Sequence, residues 1–230
     1  MIGIIGAMAE EVKYLQREME EKEMKTFAGM EFCKGKIEDK EVVVVVSGIG
    51  KVNAAVCTQL LVDVYHVDCV INSGVAGSLD ARIDIGDIVI STDGVHHDID
   101  CSAVGDPVGV VPRMGITYFP ADERLIQLAV SANEKVNPDI ATFTGRIASG
   151  DQFIASSEKK HFIVEHFQAS CAEMEGASIL HTAYLNQVPC VVIRAISDKA
   201  DGSAKMDYPE FEKMAIRHCH GLTKELIRTL

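Results

Sequence analysis

Polar and small residues follow several predicted strands, at the ends where open α/β sheets bind ligands. Four segments share this placement: IGAMAEEV near the N-terminus, NSGVAGS (Asn72–Ser78), SGDQFI (Ser149–Ile154), and the pair AEMEGA (Ala172–Ala177) and RAISD (Arg194–Asp198). They combine carboxylates, an arginine, hydroxyls and one aromatic ring. The sequence therefore predicts a ligand site where these strand ends meet.

In the first segment, Glu10 and Glu11 open a predicted helix directly after Gly6. Acidic side chains at a helix N-terminus complement the helix dipole by about 0.3–1 kcal/mol each, which alone would explain both. The same two carboxylates occupy the positive pole that a phosphate group would use. The segment is therefore unfavourable for phosphate binding.

The next two segments each have a structural and a functional interpretation. The glycines of Asn72–Ser78 form a tight turn or let a ligand approach the backbone closely. Phe153 packs in the core or stacks on a flat ligand ring. In the last pair, Arg194 and Asp198 interrupt an apolar strand, and unpaired buried charges are costly. Glu173 or Glu175 is the natural partner of Arg194, either as a structural ion pair or as part of a site.

Two motifs suggest other chemistry and fail on closer reading. Gly48-Ile-Gly50-Lys51 resembles the end of a phosphate-binding P-loop, but valines stand where a glycine and a magnesium-binding Ser or Thr are needed. His96-His97-Asp98 are adjacent residues, which point in opposite directions in an extended loop and rarely ligate one metal together. The sequence predicts turn and capping roles for them, and no metal site.

The elements that must hold these segments alternate along the chain. Strands are predicted around Ile2–Gly6, Glu31–Ile37, Val42–Ser47, Cys69–Asn72, Asp87–Ser91, Ile140–Ala148 and Cys190–Ile196. Helices are predicted over Glu10–Met19, Asn53–Tyr65, Ala121–Val136, Glu173–Leu185 and a closing segment from Phe211 to Leu226. Buried strands interleaved with helices predict a sheet covered on both faces, with much parallel pairing. We expect one domain over residues 1–230. The irregular stretch from His96 to Pro120 has the length of a functional loop.

Composition excludes several classes of function. Of the 230 residues, 47% are hydrophobic and 24% charged, and the formal net charge is −12. Phosphates would be repelled over most of such a surface, so nucleic-acid and membrane partners are not expected. The chain has no apolar run long enough for a membrane span and no basic stretch typical of a secretory signal. Its seven scattered cysteines predict free thiols in a cytoplasmic protein.

Taken together and in order, six segments make the chain resemble the 5′-methylthioadenosine/S-adenosylhomocysteine nucleosidases of the nucleoside phosphorylase superfamily. They are IGIIGAMAEEV, SGIGKVNAA, GDIVIS, SGDQFI, EMEGA and RAISDKAD. The resemblance implies a single-domain, three-layer α/β fold with a twisted mixed sheet flanked by helices, assembled as a homodimer. It implies hydrolysis of an N-glycosidic bond, with release of adenine and a 5-thio-ribose and without a metal or organic cofactor.

The resemblance also implies residue roles. Asp198, helped by Ser197, would protonate N7 of adenine, and Glu11 would position and activate water. Glu175 would bind the ribose hydroxyls, Met174 would pack on the sugar, and Arg194 would orient nearby carboxylates. Phe153 would stack on adenine, while the backbone of Ile154 reads its edge. Further pocket residues would be Met8, Ile49, Gly77, Glu173 and Tyr208, with Val104 and Pro112 of the partner's loop lining the 5′ pocket.

Four positions depart from the family pattern. Val75 stands where serine is frequent, Ser78 replaces a glycine, and Val104 and Asp106 replace aromatic residues of the loop. The preferred 5′ substituent is therefore open, and 5′-deoxyadenosine and aminodeoxyfutalosine remain candidate substrates. A purine nucleoside phosphorylase is the nearest alternative enzyme. A purine-binding sensor without turnover is the alternative outside enzymes, although Glu11, Glu175 and Asp198 are all present.

Overall fold

The structure is a computed structural model that describes residues 1–230, except for the side chains of residues 205 and 206. The described residues form ten strands: β1 (Ile2–Gly6), β2 (Glu20–Phe27), β3 (Met30–Ile37), β4 (Lys40–Val46), β5 (Cys69–Ser78), β6 (Ile88–His96), β7 (Phe119–Pro120), β8 (Thr142–Ser149), β9 (Cys171–Glu173) and β10 (Cys190–Asp198). They also form six α-helices: α1 (Ala9–Glu18), α2 (Lys51–Tyr65), α3 (Glu123–Val136), α4 (Ser157–Phe167), α5 (Gly176–Asn186) and α6 (Ala204–Thr229).

The strands form one mixed sheet, as predicted, and part of it closes on itself. Its order is β10-β6-β8-β9-β5-β1-β4-β3-β2, and β10 also pairs with β5. Five strands therefore form a closed ring, and β1, β4, β3 and β2 extend it to one side. The strands β1, β4, β5 and β10 run parallel to their neighbours in this group. Their carboxyl ends consequently meet at one edge of the sheet.

Helices cover both faces of the sheet, which confirms the predicted three layers. Successive strand residues point to opposite faces, so Ile4 belongs to the apolar cluster formed with α1, α3 and α6, whereas Ile5 belongs to the cluster formed with α2 and α5. A smaller apolar cluster lies under α4 and includes Ile163 and Phe167. Burial of apolar side chains on both faces fixes the register of the strands, because a shift of one residue would exchange their faces.

Four elements were not predicted, namely β2, α4 and the short strands β7 and β9, and the first two escape prediction for different physical reasons. The strand β2 has the sequence EEKEMKTF, and seven of its eight residues are exposed, so it lacks the apolar alternation that marks a strand. It is an edge strand that pairs only with β3 in the sheet order. The helix α4 buries only Ile163 and Phe167, too few apolar positions to produce a clear helical stripe.

Other boundaries and faces differ from prediction. Residues Asn72–Ser78 continue β5 rather than forming a turn after it, because small buried residues pair there with β10 and β9. Glu173 ends β9, and α5 begins only at Gly176. The apolar residues of the predicted helix Asn53–Tyr65, among them Cys57 and Val64, fall roughly on one helical face. Cys57 is indeed buried in α2, whereas Val64 is 41% exposed.

The hairpin of β2 and β3 carries its charges in pairs along the sheet edge. Lys36 Nζ lies 2.8 Å from a Glu21 carboxylate oxygen, and Lys25 lies 2.9 Å from Glu23. The turn between the strands holds Ala28 and Gly29, both with positive φ, and a Cβ added at Gly29 would meet no atom within 4 Å. This edge is therefore hydrophilic and open at its tip.

The predicted irregular loop is present between β6 and α3. It contains a 3-10 turn over Ser102–Val104 and ends in the short strand β7. Gly109 packs on the ring of Phe167 in α4, so the loop contacts that helix.

All seven cysteines are free thiols, as predicted. Among the described residues, no helix has both the length and the apolarity to cross a membrane.

Candidate active site

A pocket of about 360 Å³ lies at the edge where the parallel strands end. It is bordered by residues from all four predicted segments: Ala7, Met8, Glu11, Ile49, Val75, Ala76, Gly77, Phe153, Ala172, Glu173, Met174, Glu175, Ser197, Asp198 and Tyr208. The sequence prediction that these segments meet is therefore confirmed. A larger hollow of about 620 Å³ opens at the other end of β10, beside Cys190, and contains none of the predicted site residues.

Glu11 lies in the first turn of α1 and is held by backbone donors. Its Oε2 accepts hydrogen bonds from the N–H groups of Ala7 at 2.7 Å and Met8 at 3.0 Å, and its Oε1 accepts one from Val75 at 3.1 Å. Burial raises the pKa of Glu11, although Arg194 and these N–H groups oppose the shift by favouring the charged form. Glu10, the other acid predicted here, is exposed and does not reach the pocket.

Asp198 ends β10 and is 2% exposed. Ser197 Oγ donates to its Oδ2 at 3.0 Å, and the N–H of Ala200 donates to Oδ1 at 2.8 Å. Burial raises the pKa of Asp198 above its ordinary value, and the two hydrogen bonds act in the opposite direction. A carboxyl group in this environment holds a proton at higher pH than an exposed one, as a general acid requires.

Glu175 precedes α5 and links the pocket to the start of α2. Its Oε1 accepts a hydrogen bond from the N–H of Gly50 at 2.8 Å. Burial and the neighbouring charge of Glu173 raise the pKa of Glu175 to about 7. The pocket therefore holds carboxyl groups in distinct environments, which suits a site that needs both an acid and carboxylates.

Arg194 lies behind the pocket and forms a buried ion pair with Glu173, one of its two predicted partners. The same guanidinium donates to Asn72 Oδ1 at 2.5 Å. Burial opposes the charged form of Arg194, but the surrounding acids raise its pKa and keep it charged. Glu173 also accepts the N–H groups of Glu175 and Gly176, at 3.1 and 2.7 Å. The ion pair therefore fixes the backbone that presents Glu175.

Apolar side chains form the remaining walls of the pocket. Phe153 is 52% exposed and meets Tyr208 edge to face, with ring centroids 5.8 Å apart. Met8, Ile49 and Met174 complete these walls. Tyr208 comes from the first turns of α6, and its hydroxyl donates to Glu212 at 2.7 Å. A flat, mostly apolar ligand with a polar edge would fit between these rings and the carboxyl groups.

Four predicted residues do not line this pocket. Arg194 acts from behind it, as described. Ile154 is buried and borders a neighbouring hollow of about 260 Å³, so an adenine contact through its backbone remains a prediction. Val104 and Pro112 are exposed on the loop and do not reach the pocket of their own chain. That arrangement is compatible with their predicted role in a partner's pocket, which stays a prediction.

Sequence reasoning missed several residues that build the site. Ala7, Ala76 and Ala172 line the pocket, and small side chains at strand ends were the available signal. Asn72 and the hydroxyl of Ser149, which donates to Glu173, support the buried ion pair. Of the departures from the family pattern, Val75 contacts Glu11 through its N–H, which needs no particular side chain.

The second departure, Ser78, lies outside the pocket and donates its hydroxyl to the carbonyl oxygen of Asp80 at 2.7 Å.

The charge of the pocket indicates which ligands it favours. None of the lining side chains that the structure describes is a lysine or arginine, so the pocket favours a neutral or cationic ligand. Over the described part of the chain, no three His, Cys, Asp or Glu side chains are grouped to hold a metal ion.

Comparison with known proteins agrees with this fold. The family model of the phosphorylase superfamily matches residues 1–228. The 5′-methylthioadenosine/S-adenosylhomocysteine nucleosidase of Staphylococcus carnosus is 40% identical, with both chains covered completely. The chain therefore belongs to the phosphorylase superfamily and, within it, to the family of these nucleosidases.

Two solved structures are similar over nearly their full length. The nucleosidase of Neisseria meningitidis in complex with methylthio-immucillin-A has a TM-score of 0.95 and 38% identity, covering 100% of this chain and 99% of that one. The futalosine hydrolase of Helicobacter pylori has a TM-score of 0.94 and 37% identity, covering 100% and 97%. The predicted family and the predicted nucleoside phosphorylase-like fold are confirmed.

Proposed function

We propose that this protein hydrolyses the N-glycosidic bond of 5′-methylthioadenosine and S-adenosylhomocysteine, releasing adenine and a 5-thio-ribose. The observation that carries this proposal is the buried carboxyl group of Asp198 at the end of β10. Burial raises its pKa, and it lines the same pocket as Glu11 and Glu175. The substrate class comes from the family, because the relatives that this chain matches are 5′-methylthioadenosine/S-adenosylhomocysteine nucleosidases.

Protonation of the base is the first requirement of the reaction. Adenine leaves poorly as an anion, so a proton delivered to N7 eases its departure. General acid catalysis of this kind typically contributes about 10²–10⁴-fold. Asp198 is the proposed donor, and Ser197 orients its carboxyl group through the hydrogen bond at 3.0 Å. Phe153 would hold the ring of adenine, and the backbone of Ile154 would contact its edge.

Stabilisation of the sugar is the second requirement. As adenine departs, the ribose becomes positively charged like an oxocarbenium ion, and nearby carboxylates stabilise that charge. Glu175 is proposed to bind the ribose hydroxyls, with Met174 against the sugar. Glu11 is proposed to orient and activate the attacking water. The three N–H groups that hold its carboxylate fix its direction before substrate binds.

Hydrolysis is favoured over phosphorolysis by the charge of the pocket. A phosphorylase needs cationic groups for its phosphate, whereas none of the described side chains that line this pocket is a lysine or arginine. A carboxylate already occupies the backbone donors at that helix start, which phosphate would otherwise use. Water is therefore the proposed nucleophile.

We also propose that the protein is a cytoplasmic homodimer. Ile49, Val52 and Val56 are 53%, 74% and 38% exposed and lie beside the pocket or along one face of α2. Exposed apolar groups that adjoin one another are typical of an interface between subunits. A partner on this face would bring its loop, with Val104 and Pro112, to the open side of the pocket. The acidic surface gives no reason to expect nucleic acid or membrane as a partner.

A second candidate function comes from the futalosine hydrolase of Helicobacter pylori, whose TM-score of 0.94 is only slightly below the 0.95 of the Neisseria meningitidis nucleosidase. Cleavage of aminodeoxyfutalosine would use the same acid and carboxylates and differ only at the 5′ group. A substrate panel that varies the 5′ position separates the two candidates.

The test of the proposed function is adenine release from 5′-methylthioadenosine, S-adenosylhomocysteine, 5′-deoxyadenosine and aminodeoxyfutalosine, with and without phosphate. We expect turnover of the thio-nucleosides that phosphate does not change. Strict dependence on phosphate, with formation of a ribose 1-phosphate, would identify a phosphorylase instead. Tight binding of these nucleosides without any cleavage would identify a sensor.

A further inference from the structure

Two charged side chains with no role in the proposed reaction, Lys51 and Asp98, meet beside the pocket. Lys51 belongs to the glycine-rich segment that fails as a P-loop, and Asp98 belongs to the His96-His97-Asp98 segment that fails as a metal site. Lys51 Nζ lies 2.5 Å from Asp98 Oδ1, and the two side chains are only 20% and 16% exposed. This ion pair joins two separate segments, and neither the resemblance to a P-loop nor the possible metal site explains why it forms.

Asp151 joins this pair through its backbone and its side chain. Its N–H donates to Asp98 Oδ2 at 3.0 Å, and its Oδ1 accepts the N–H of Lys51 at 2.8 Å. Burial would raise the pKa of Asp98, but Lys51 and the N–H of Asp151 bring it below its ordinary value. We call Lys51, Asp98 and Asp151 the clasp. It connects the ends of β6 and β8 to the start of α2.

The clasp borders groups that shape the pocket. Lys51 directly follows Gly50, whose N–H donates to the carboxylate of Glu175. Gly50 has φ +98°, a conformation that glycine adopts readily, and a Cβ added there would lie 3.0 Å from Asp151 Oδ1. On the other side of the clasp, Asp151 lies two residues before Phe153, which lines the pocket. The clasp therefore holds together the donor of Glu175 and one wall of the pocket.

We propose that Lys51, Asp98 and Asp151 are positioning residues that orient Glu175 toward the ribose through the N–H of Gly50. This proposal rests on the proposed function, because it takes Glu175 to bind the ribose hydroxyls. None of the three clasp residues lines the pocket, so they act through Glu175 and the adjoining segments rather than on the substrate.

The test compares a clasp variant with the wild type on substrates that carry or lack the ribose hydroxyls. We would measure kcat/KM of the wild type and Lys51→Met on 5′-methylthioadenosine and on its 2′-deoxy and 3′-deoxy analogues. For the full ribonucleoside we expect a fall of about tenfold, within the range of one hydrogen bond to a charged group. For each analogue, which lacks one of the hydroxyls that Glu175 would bind, we expect a smaller fall of less than about threefold, because part of the contact is already missing.

Matched variants separate positioning from general damage to the protein. Lys135→Met removes an ion pair with Glu225, 2.8 Å long, between α3 and α6, and should change none of the three values. Asp98→Asn removes the other charge of the ion pair and should give the same pattern as Lys51→Met. It keeps the proposal testable if Lys51→Met fails to fold. Lys51→Arg keeps the charge and should restore most of the activity.

The outcomes are distinct. Equal falls on all three substrates, or no fall in either clasp variant, would overturn the positioning role while leaving the proposed function intact. A wild-type protein that releases no adenine from any ribonucleoside would overturn the proposed function, and the role of the clasp with it.

Discussion

Replacing Gly77 by alanine disturbs the proposed general acid without altering its carboxyl group. A Cβ at this position would lie 2.7 Å from Asp198 Oδ1, 2.9 Å from the Cβ of Ala200 and 3.2 Å from its Cα. The Oδ1 atom is the one that accepts the N–H of Ala200. Movement of the carboxyl group away from the added methyl group would weaken that hydrogen bond, and the contact with Ala200 would require its backbone to shift.

The size of the effect follows from these contacts. A hydrogen bond to a protonated, neutral carboxyl group contributes about 0.5–1.5 kcal/mol, and overpacking by one methyl group costs about 1–3 kcal/mol. For a chain of this length, each kcal/mol lowers the Tm by roughly 2–4 °C, so we expect a fall of several degrees in the folded variant. Displacement of the general acid should lower kcat for adenine release by about 100-fold, toward the small end of the range for such catalysis.

The assay pairs two substrates and a control variant. Gly77→Ala and Gly202→Ala are compared for adenine release from 5′-methylthioadenosine and for hydrolysis of a 4-nitrophenyl 5-methylthio-riboside, whose leaving group needs no proton. A Cβ at Gly202 would meet no atom within 4 Å, so that variant should match the wild type. The loss in Gly77→Ala should be much smaller on the nitrophenyl substrate. Equal losses on both substrates, or near-normal adenine release, would refute the acid role assigned to Asp198.

Four further outcomes are expected. Asp198→Asn should keep its Tm within a few degrees and lose about 10²–10⁴-fold in kcat, since the proton is removed; near-normal turnover would reject the acid role. Glu11→Gln should still bind a nucleoside analogue in calorimetry while kcat collapses; a lost affinity with normal kcat would contradict the water role. The folded pKa of Glu175, about 7, exceeds that of the unfolded chain, so its stabilising contribution is complete below the unfolded pKa and is lost as pH rises through about 7. Glu175→Gln should therefore melt above the wild type at pH 8, with a smaller difference at pH 5, and the reverse order would show that burial does not perturb this acid. Substitutions at Val104 or Pro112 should change the preference among 5′ groups more than the affinity for adenine, and the opposite pattern would show that the loop does not reach a partner's pocket.

Much of the fold was predictable because its central strands carry continuous apolar runs. The segment around Val42–Val46 and the strand from Cys190 are buried on both faces, and sequences of that kind specify a covered, largely parallel sheet. The closed ring was not predictable. The pairing between β10 and β5 depends on the curvature of the sheet, which the alternation of apolar and polar residues along a strand does not indicate. The strand β2 escaped prediction because its side chains face water on an edge.

The site was predictable where its residue types were unusual for their surroundings. Arg194 and Asp198 interrupt an apolar strand, and a partner for the arginine among the EMEGA acids follows from the cost of an unpaired buried charge. The clasp was not predictable, because Lys51 and Asp98 are 47 positions apart in sequence and each belongs to a motif that suggested other chemistry. Contacts between surface loops depend on the finished fold rather than on local pattern.

The charged border formed by β2 and β3 has a practical consequence for handling the protein. Paired lysines and glutamates along an exposed edge discourage another molecule from adding a strand there. The Ala28–Gly29 tip is a surface turn with open space around it, where inserted residues meet little resistance. An epitope or a fluorophore attached at that tip should therefore label the protein without changing its activity.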